Sequence, residues 1–451
     1  MQASILWTAN LTGFDQNLTF TNDTSGGPHF LNSLGISDDG RTVAAATFDG
    51  SIWILDENGQ VVWNRSPGNT TTEITTMSLS PDGECLAFSE TGEFPPANPS
   101  KKITLVNRQG EELWNHSSRT FVFHSAVSLN GSCSVFGSYE NITCIDRDGS
   151  ILWDYPVPSP VISLDMSDDG GYIVAATDEG KALCLNRSGS VLWQHRFGSI
   201  NDIKISGDGN YACISGSPFR TLYYLDNRGE FLWNRTVPRD GALFYDLSYD
   251  GYRVVIQVTG AVFCYDRAGE IRWHENPQFQ QPPVSRYSPQ PFSLSKDGSY
   301  LVTAERQYLV IRDDRGYGTG RIECDDQIKG AAISADGSSI AVITDNDLHF
   351  IRNPNSCIKF YGNISCGTEH LEEVLDECEP ELSKLMGTKG GPLIGFGIDY
   401  KGYISLMWNE ELEVNETMMD EIYSVIDETG KNAGIDNIPV GFLLSSGIKG
   451  D

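Results

Sequence analysis

The sequence predicts a mainly β fold: an eight-bladed β-propeller of four-stranded blades over residues 1–362, followed by a small α/β domain (α-β-β-α-β) over 363–451. Three observations carry that expectation. A tryptophan follows a glycine by four residues six times, at Gly59/Trp63, Gly110/Trp114, Gly149/Trp153, Gly189/Trp193, Gly229/Trp233 and Gly269/Trp273, with tryptophan spacings of 51, 39, 40, 40 and 40. Turns of the form S-x-[DN]-G keep the same beat, starting at Ser37, Ser80, Ser128, Ser167, Ser206, Ser248, Ser295 and Ser334. Glycine is abundant (46 residues) while only 21% of the chain is charged, which favours many turns over long helices.

Each unit justifies its strands in order. Asp-Gly and Asn-Gly supply the positive φ that tight hairpins need. Short β-rich runs such as Tyr172–Ala176 and Ala182–Leu185 lie between the landmarks. A unit therefore reads as strand, S-x-D-G turn, strand, hairpin, strand, D-x-x-G turn, and a strand ending in tryptophan, and four strands per roughly 40 residues make a propeller blade. A buried indole removes roughly 150–250 Å² from water, so Trp63, Trp114, Trp153, Trp193, Trp233 and Trp273, with Trp7 as a seventh, are expected to dock each blade on the next. In the seventh unit Arg321-Ile322-Glu323 stands where the tryptophan is expected.

The chain opens with a lone fourth strand, Ser4-Ile5-Leu6-Trp7, and its last unit runs through Ala331–Ser334, Ile340–Thr344 and Leu348–Ile351. The simplest closure lets the N-terminal strand complete that last blade, since an open ring leaves unpaired sheet edges. The rival is that Cys357-Ile358-Lys359-Phe360 is the blade's own fourth strand, leaving the N-terminal strand to pair elsewhere.

Units such as Asp146-Arg147-Asp148-Gly149-Ser150-Ile151-Leu152-Trp153 resemble the quinoprotein-like (PQQ-binding-like) β-propeller repeat family over about residues 1–360. The resemblance implies eight blades joined by tryptophan docking. It also implies a choice between quinone-dependent dehydrogenases and cofactor-free scaffolds. The enzymes hold their cofactor beside a vicinal disulfide of adjacent cysteines, above a calcium bound by Glu, Asn and Asp. This chain has no Cys-Cys pair and no position matching those ligands, which points to the scaffold branch and to no cofactor.

Beyond residue 365 the rhythm stops. Glu369–Met386 has helical spacing in Leu371, Val374, Leu375 and Leu382; strands Leu393–Ile398 and Tyr403–Trp408 follow; Glu416–Ala433 is a second helix with Asn415 as its cap; Ile438–Leu444 is a final strand. From Cys366 onward 18 acidic and 5 basic residues give a net charge of −13. With no catalytic pattern in it, this is expected to be a docking or assembly module.

The formal net charge of −29 argues against nucleic acid, whose phosphates need a basic surface. It leaves room only for diffuse or weak calcium binding. The D-x-x-G loops are turns, because they lack the distal Glu of a calcium loop. No apolar stretch is long enough to span a membrane. No signal peptide precedes the first strand, yet twelve N-x-S/T sequons begin at Asn10, Asn17, Asn22, Asn64, Asn69, Asn115, Asn130, Asn141, Asn186, Asn234, Asn363 and Asn415. The chain reads as the mature or trimmed form of an exported, N-glycosylated protein, archaeal or eukaryotic, at the cell surface.

Ten cysteines include no C-x-x-C, which argues against a metal. Cys144, Cys184 and Cys264 share one place in three repeats and suggest buried apolar residues. Cys133 and Cys144 are placed to face each other across a hairpin, and Cys357, Cys366 and Cys378 form the region where disulfides are most expected, with pairing open. Two segments break the beat: Glu90–Lys101 within a hairpin and Asn276–Pro291 between two units. The second, with Gln278, Phe279, Gln280 and Tyr287, is the better candidate for a partner or glycan contact. The expected function is a non-catalytic scaffold binding an extracellular protein or glycan. The alternatives are a self-assembling subunit of a surface layer or filament, and a quinone-dependent dehydrogenase.

Overall fold

The computed structural model describes residues 5–10, 33–47, 50–66, 73–92, 101–217, 221–237, 243–258, 261–275, 291–344, 347–353, 357–361, 368–387, 390–399, 403–409, 412, 415–433, 435 and 438–445. Two compact units emerge, one spanning Ser4–Arg352 and the other built on Asn353–Asp451.

The first unit contains eight four-stranded antiparallel sheets. Blade 1 runs Ser33–Ile36, Thr42–Ala46, Ile52–Asp56 and Val61–Arg65. Six further blades follow in chain order, ending with Phe292–Leu294, Tyr300–Glu305, Tyr308–Asp313 and Gly318–Glu323 as blade 7. Blade 8 takes Gly330–Ile333, Ser339–Ile343 and Asp347–Arg352 from the end of the unit and Ile5–Asn10 from its beginning. Its outer strand pairs Trp7 with Phe350, Thr8 with His349 and Ala9 with Leu348. The first strand of every blade touches its counterpart in the next, and that of blade 8 touches that of blade 1, so the eight inner strands form a closed ring.

The core lies between blades rather than within them. Val174, Cys184 and Trp193 of blade 4, for instance, pack with Ile203, Ile214 and Leu225 of blade 5 in one buried cluster. This follows from period-2 strands with both faces covered, which is why second strands such as Tyr172–Thr177 read as almost unbroken apolar runs.

The second unit differs from the sequence expectation at its start. Cys357–Tyr361 pairs antiparallel with Val440–Ser445, so it belongs to this unit and not to blade 8. The division therefore falls at Arg352/Asn353, ten residues before the expected one, and the order becomes β-α-β-β-α-β. The remaining elements are helix α1 (Thr368–Leu382), strands Leu393–Asp399 and Tyr403–Asn409, and helix α2 (Glu416–Asn432). Asn415 caps α2, its side chain accepting from Met418 N at 3.0 Å. Both helices pack on one core containing Leu371, Val374, Trp408, Met419, Ile426 and Phe442.

Candidate functional site: blade junctions and axial opening

Each docking tryptophan sits where a local defect aims it. In blade 4, Leu185 pairs with Val191 and Cys184 with Trp193, so Leu192 is an extra residue in the outer strand. The same shift precedes Trp7, Trp63, Trp114, Trp153, Trp233 and Trp273. A bulge of this kind breaks the alternation and re-aims the following side chain. Two consecutive apolar residues then face solvent, as Val191 and Leu192 do, while Trp193 turns inward to 6% exposure. The strands continue two or three residues past the tryptophan instead of ending on it.

The indole lands on the glycine of the next blade's D-x-x-G turn. Gly59 and Gly229 have φ of +77° and +83°, and a Cβ there would stand 2.7 Å from Trp7 Cδ2 and 2.6 Å from Trp193 Cγ. Only glycine tolerates both the conformation and the approach. At four junctions the indole N–H adds to the lock: Trp7 donates to Glu57 O, Trp153 to Arg187 O, Trp233 to Arg267 O and Trp273 to Asp314 O, at 2.9–3.1 Å, whereas Trp114 and Trp193 dock by packing without one. The turn is held by its own aspartate, as Asp226 Oδ1 accepts from the backbone N–H of Arg228 and Glu230, both at 2.9 Å.

Sequence reasoning missed a second clasp two residues beyond the tryptophan. His116 Nε2 lies 2.8 Å from Gly149 O, His195 Nε2 lies 2.8 Å from Gly229 O, and Arg235 Nε donates to Gly269 O at 3.2 Å. A carbonyl only accepts, so these Nε2 atoms carry a proton. The signal was legible as W-x-[HR] in those blades. Blade 7 also differs from expectation: Ile311 pairs with Gly320, so Gly320 occupies the tryptophan position, not Arg321–Glu323.

The S-x-D-G turns gather around the axis. Ser167 Oγ donates to Asp169 Oδ1 at 2.7 Å and accepts from Tyr172 N at 3.0 Å; the arrangement recurs at Ser37, Ser80, Ser206, Ser248, Ser295 and Ser334. Backbone bonds then run from turn to turn: Asp38 N to Pro81 O, Leu129 N to Asp168 O, Asp168 N to Gly207 O, Asp208 N to Tyr249 O, Tyr249 N to Lys296 O, Asp297 N to Ala335 O and Ala335 N to Asp38 O, at 2.6–3.1 Å. Pro81 has no N–H for the blade 2–3 step; there Asn130 N donates to Asp82 Oδ2 at 2.8 Å. The collar is complete.

Charged side chains from this collar meet across the opening. Lys296 Nζ of blade 7 lies 2.9 Å from Asp38 of blade 1 and 2.5 Å from Asp168 of blade 4. Burial pushes the Asp38 carboxyl up despite Lys296, whereas the two carboxylates outweigh burial and hold the lysine up. Deeper on the inner strands, Lys204 Nζ bonds Asp246 Oδ1 at 3.0 Å, and Asp165 Oδ2 accepts from Ile205 N of the next blade at 2.9 Å. Burial raises Asp165 to about 6 and raises Asp202, while Asp246, Asp202 and Asp165 together outweigh burial and keep Lys204 charged. These groups stitch neighbouring inner strands; among the described residues no cluster of His, Cys, Asp and Glu is arranged to hold a metal.

Of the sequon asparagines, Asn64, Asn115 and Asn234 each follow a docking tryptophan on an outer strand and are exposed, as are Asn130 and Asn415. Asn141 and Asn186 are half-buried. Asn10 closes the outer strand of blade 8; Asn17, Asn22, Asn69 and Asn363 lie outside the described residues, as do Gln278, Phe279, Gln280 and Tyr287. Cys144, Cys184 and Cys264 are buried opposite Trp153, Trp193 and Trp273. Cys378 is buried with a free thiol. No described helix is long and apolar enough to cross a membrane.

No protein-family model matches the chain, and no curated protein is significantly similar to it. Solved structures are. BamB from Moraxella catarrhalis superposes with a TM-score of 0.55 at 13% identity, covering 78% of this chain and 100% of that one. The C-terminal WD40 domain of Sif2 gives 0.59 at 11% identity, covering 78% and 99%. At such identities the likeness speaks for fold alone, and it identifies the larger part of this chain as a β-propeller.

Proposed function

We propose that the chain is an exported, N-glycosylated propeller of the quinoprotein-like repeat type, acting as a cofactor-free, non-catalytic scaffold that engages an extracellular protein or glycan through blades 6 and 7. One observation carries this reading. The sequons stop at Asn234 and resume only at Asn363, leaving blades 6 and 7 bare of them. Residues 243–323 also hold 9 basic and 10 acidic side chains, a net of −1 in a chain of −29. A near-neutral, sequon-free sector in a net acidic, sequon-bearing chain is where a partner approaches with least repulsion.

The residue types suit the role. Strand 1–2 and strand 3–4 turns lie at the same end of a blade, and there Tyr249, Tyr252 and Tyr317 are 44%, 41% and 66% exposed. Arg267 lies over Tyr252 and Arg315 over Tyr317. Tyrosine and arginine dominate binding hot spots. The segment with Gln278, Phe279, Gln280 and Tyr287 joins these same two blades. In a glycosylating host, glycopeptide mapping should find sugar at Asn64, Asn115 and Asn234. Cross-links to native partners, or contacts on a glycan array, should concentrate in 243–323 and weaken at least tenfold in Tyr249→Ser/Tyr317→Ser. Empty sequons, or binding indifferent to that double change, would overturn the reading.

The self-assembling alternative has its own support. Exposed apolar pairs recur on outer strands, at Val61/Val62, Ile151/Leu152, Val191/Leu192 and Phe231/Leu232. Unpaired edges of this kind are templates for strand addition. Ordered arrays in electron micrographs of native material would favour assembly, and isolated rings would favour the scaffold.

A further inference from the structure

We propose that Cys133 and Cys144 form a disulfide across the central hairpin of blade 3, a covalent staple in a ring otherwise held by packing and hydrogen bonds. The two lie on adjacent antiparallel strands, Cys133–Ser138 and Asn141–Asp146. Cys133 pairs with Asp146 and Val135 with Cys144, which puts both thiols on one face of the sheet as diagonal neighbours. Their Sγ atoms are 2.7 Å apart and both residues are fully buried. That is closer than two unbonded sulfurs rest, and a small rotation separates it from a bond of about 2.05 Å.

The repeat supplies its own controls. Cys184 and Cys264 stand at the Cys144 position, but Tyr172 and Arg253 take the diagonal place where blade 3 has Cys133. Their thiols point to the carbonyls of Leu185 and Tyr265 instead. Cys85 stands at the Cys133 position of blade 2, where Leu105 takes the other place. Of these four blades, blade 3 alone combines the two.

The chemistry closes with a disulfide-class oxidant such as oxidised glutathione. One thiolate attacks the oxidant to give a mixed disulfide, the second displaces reduced glutathione from it, and the two thiols together lose two protons and two electrons. Burial of both sulfurs requires that this happens before blade 3 is packed. Once formed, the staple closes the hairpin next to the irregular turn at Asn130, whose φ is +56°.

The test uses the full chain, refolded in defined mixtures of oxidised and reduced glutathione and digested under non-reducing conditions. A peptide linking Cys133 to Cys144 should dominate the oxidised material, vanish on reduction, and be absent from Cys144→Val, which keeps an apolar group of similar size. The oxidised form should also unfold at a higher temperature than the reduced form, a difference lost in that variant. Recovery of both thiols in alkylatable form from correctly folded, oxidised protein would overturn the proposal. Because the redox buffer replaces the cell, this outcome is independent of whether the chain is exported or glycosylated.

Discussion

At the residue scale the junction between blades 5 and 6 concentrates the energetics. Trp233 is 7% exposed, stacks on Tyr224 at 4.9 Å, donates to Arg267 O and has Arg235 over its ring at 5.9 Å. Trp233→Ala removes the ring and leaves a cavity against Gly269, so it should cost about 3–5 kcal/mol. Leu232, the bulge residue just before it and 46% exposed, should tolerate Leu232→Ser within about 0.5 kcal/mol. Denaturant unfolding of both variants checks the contrast, and equal losses would refute tryptophan docking as the source of stability. The tryptophan beat was legible because one residue type recurs at one spacing. The bulge was not, since Val191-Leu192-Trp193 reads as a plain apolar run until pairing shows Leu192 skipped. For the same reason Gly320 escaped notice: without the bulge the register of blade 7 is miscounted by one or more residues.

At the scale of the element, ring closure turns on two short strands that look alike. Ile5–Asn10 and Cys357–Tyr361 are both brief and mixed in polarity, and although Trp7 marks the first as a fourth strand, neither names the blade it completes. What decides between them is complementarity that no local pattern records. Trp7 stacks on Phe350 at 5.2 Å with planes 2° apart, Thr8 Oγ1 bonds His349 Nδ1 at 2.9 Å, and the indole reaches Glu57 of blade 1. Cys357–Tyr361 instead finds Val440–Ser445. Deleting residues 1–10 should therefore expose the edge of Asp347–Arg352 and strip the seam between blades 8 and 1 of its docking tryptophan, Trp7. The expected result is soluble aggregates by light scattering, reversed when a peptide covering residues 1–10 is added in trans. A monodisperse, fully stable truncation would show that closure contributes little.

At the scale of the whole molecule, charge distinguishes the two units. Residues 353–451 carry 18 acidic and 6 basic side chains, a net of −12 in 99 residues, against −17 in the 349 residues of Ser4–Arg352. The smaller unit has its own core around Leu371, Trp408, Ile426 and Phe442, so it has the packing to fold alone. Its carboxylates crowd a small surface, and self-repulsion opposes the compact state until salt screens it. The screening length falls from about 10 Å at 0.1 M to about 3 Å at 1 M, which reaches below the spacing of neighbouring helix charges. α1 shows the density: Glu372, Glu373, Asp376, Glu377, Glu379 and Glu381 fall within ten residues without a basic side chain among them. The 353–451 fragment should therefore gain more in melting temperature between 0.1 and 1 M KCl than the 4–352 fragment gains. Circular dichroism of the two fragments over that range measures it. General salting-out acts on apolar surface in both, so the difference between them isolates the charge effect, and equal gains would rule out repulsion as the force that limits the acidic unit.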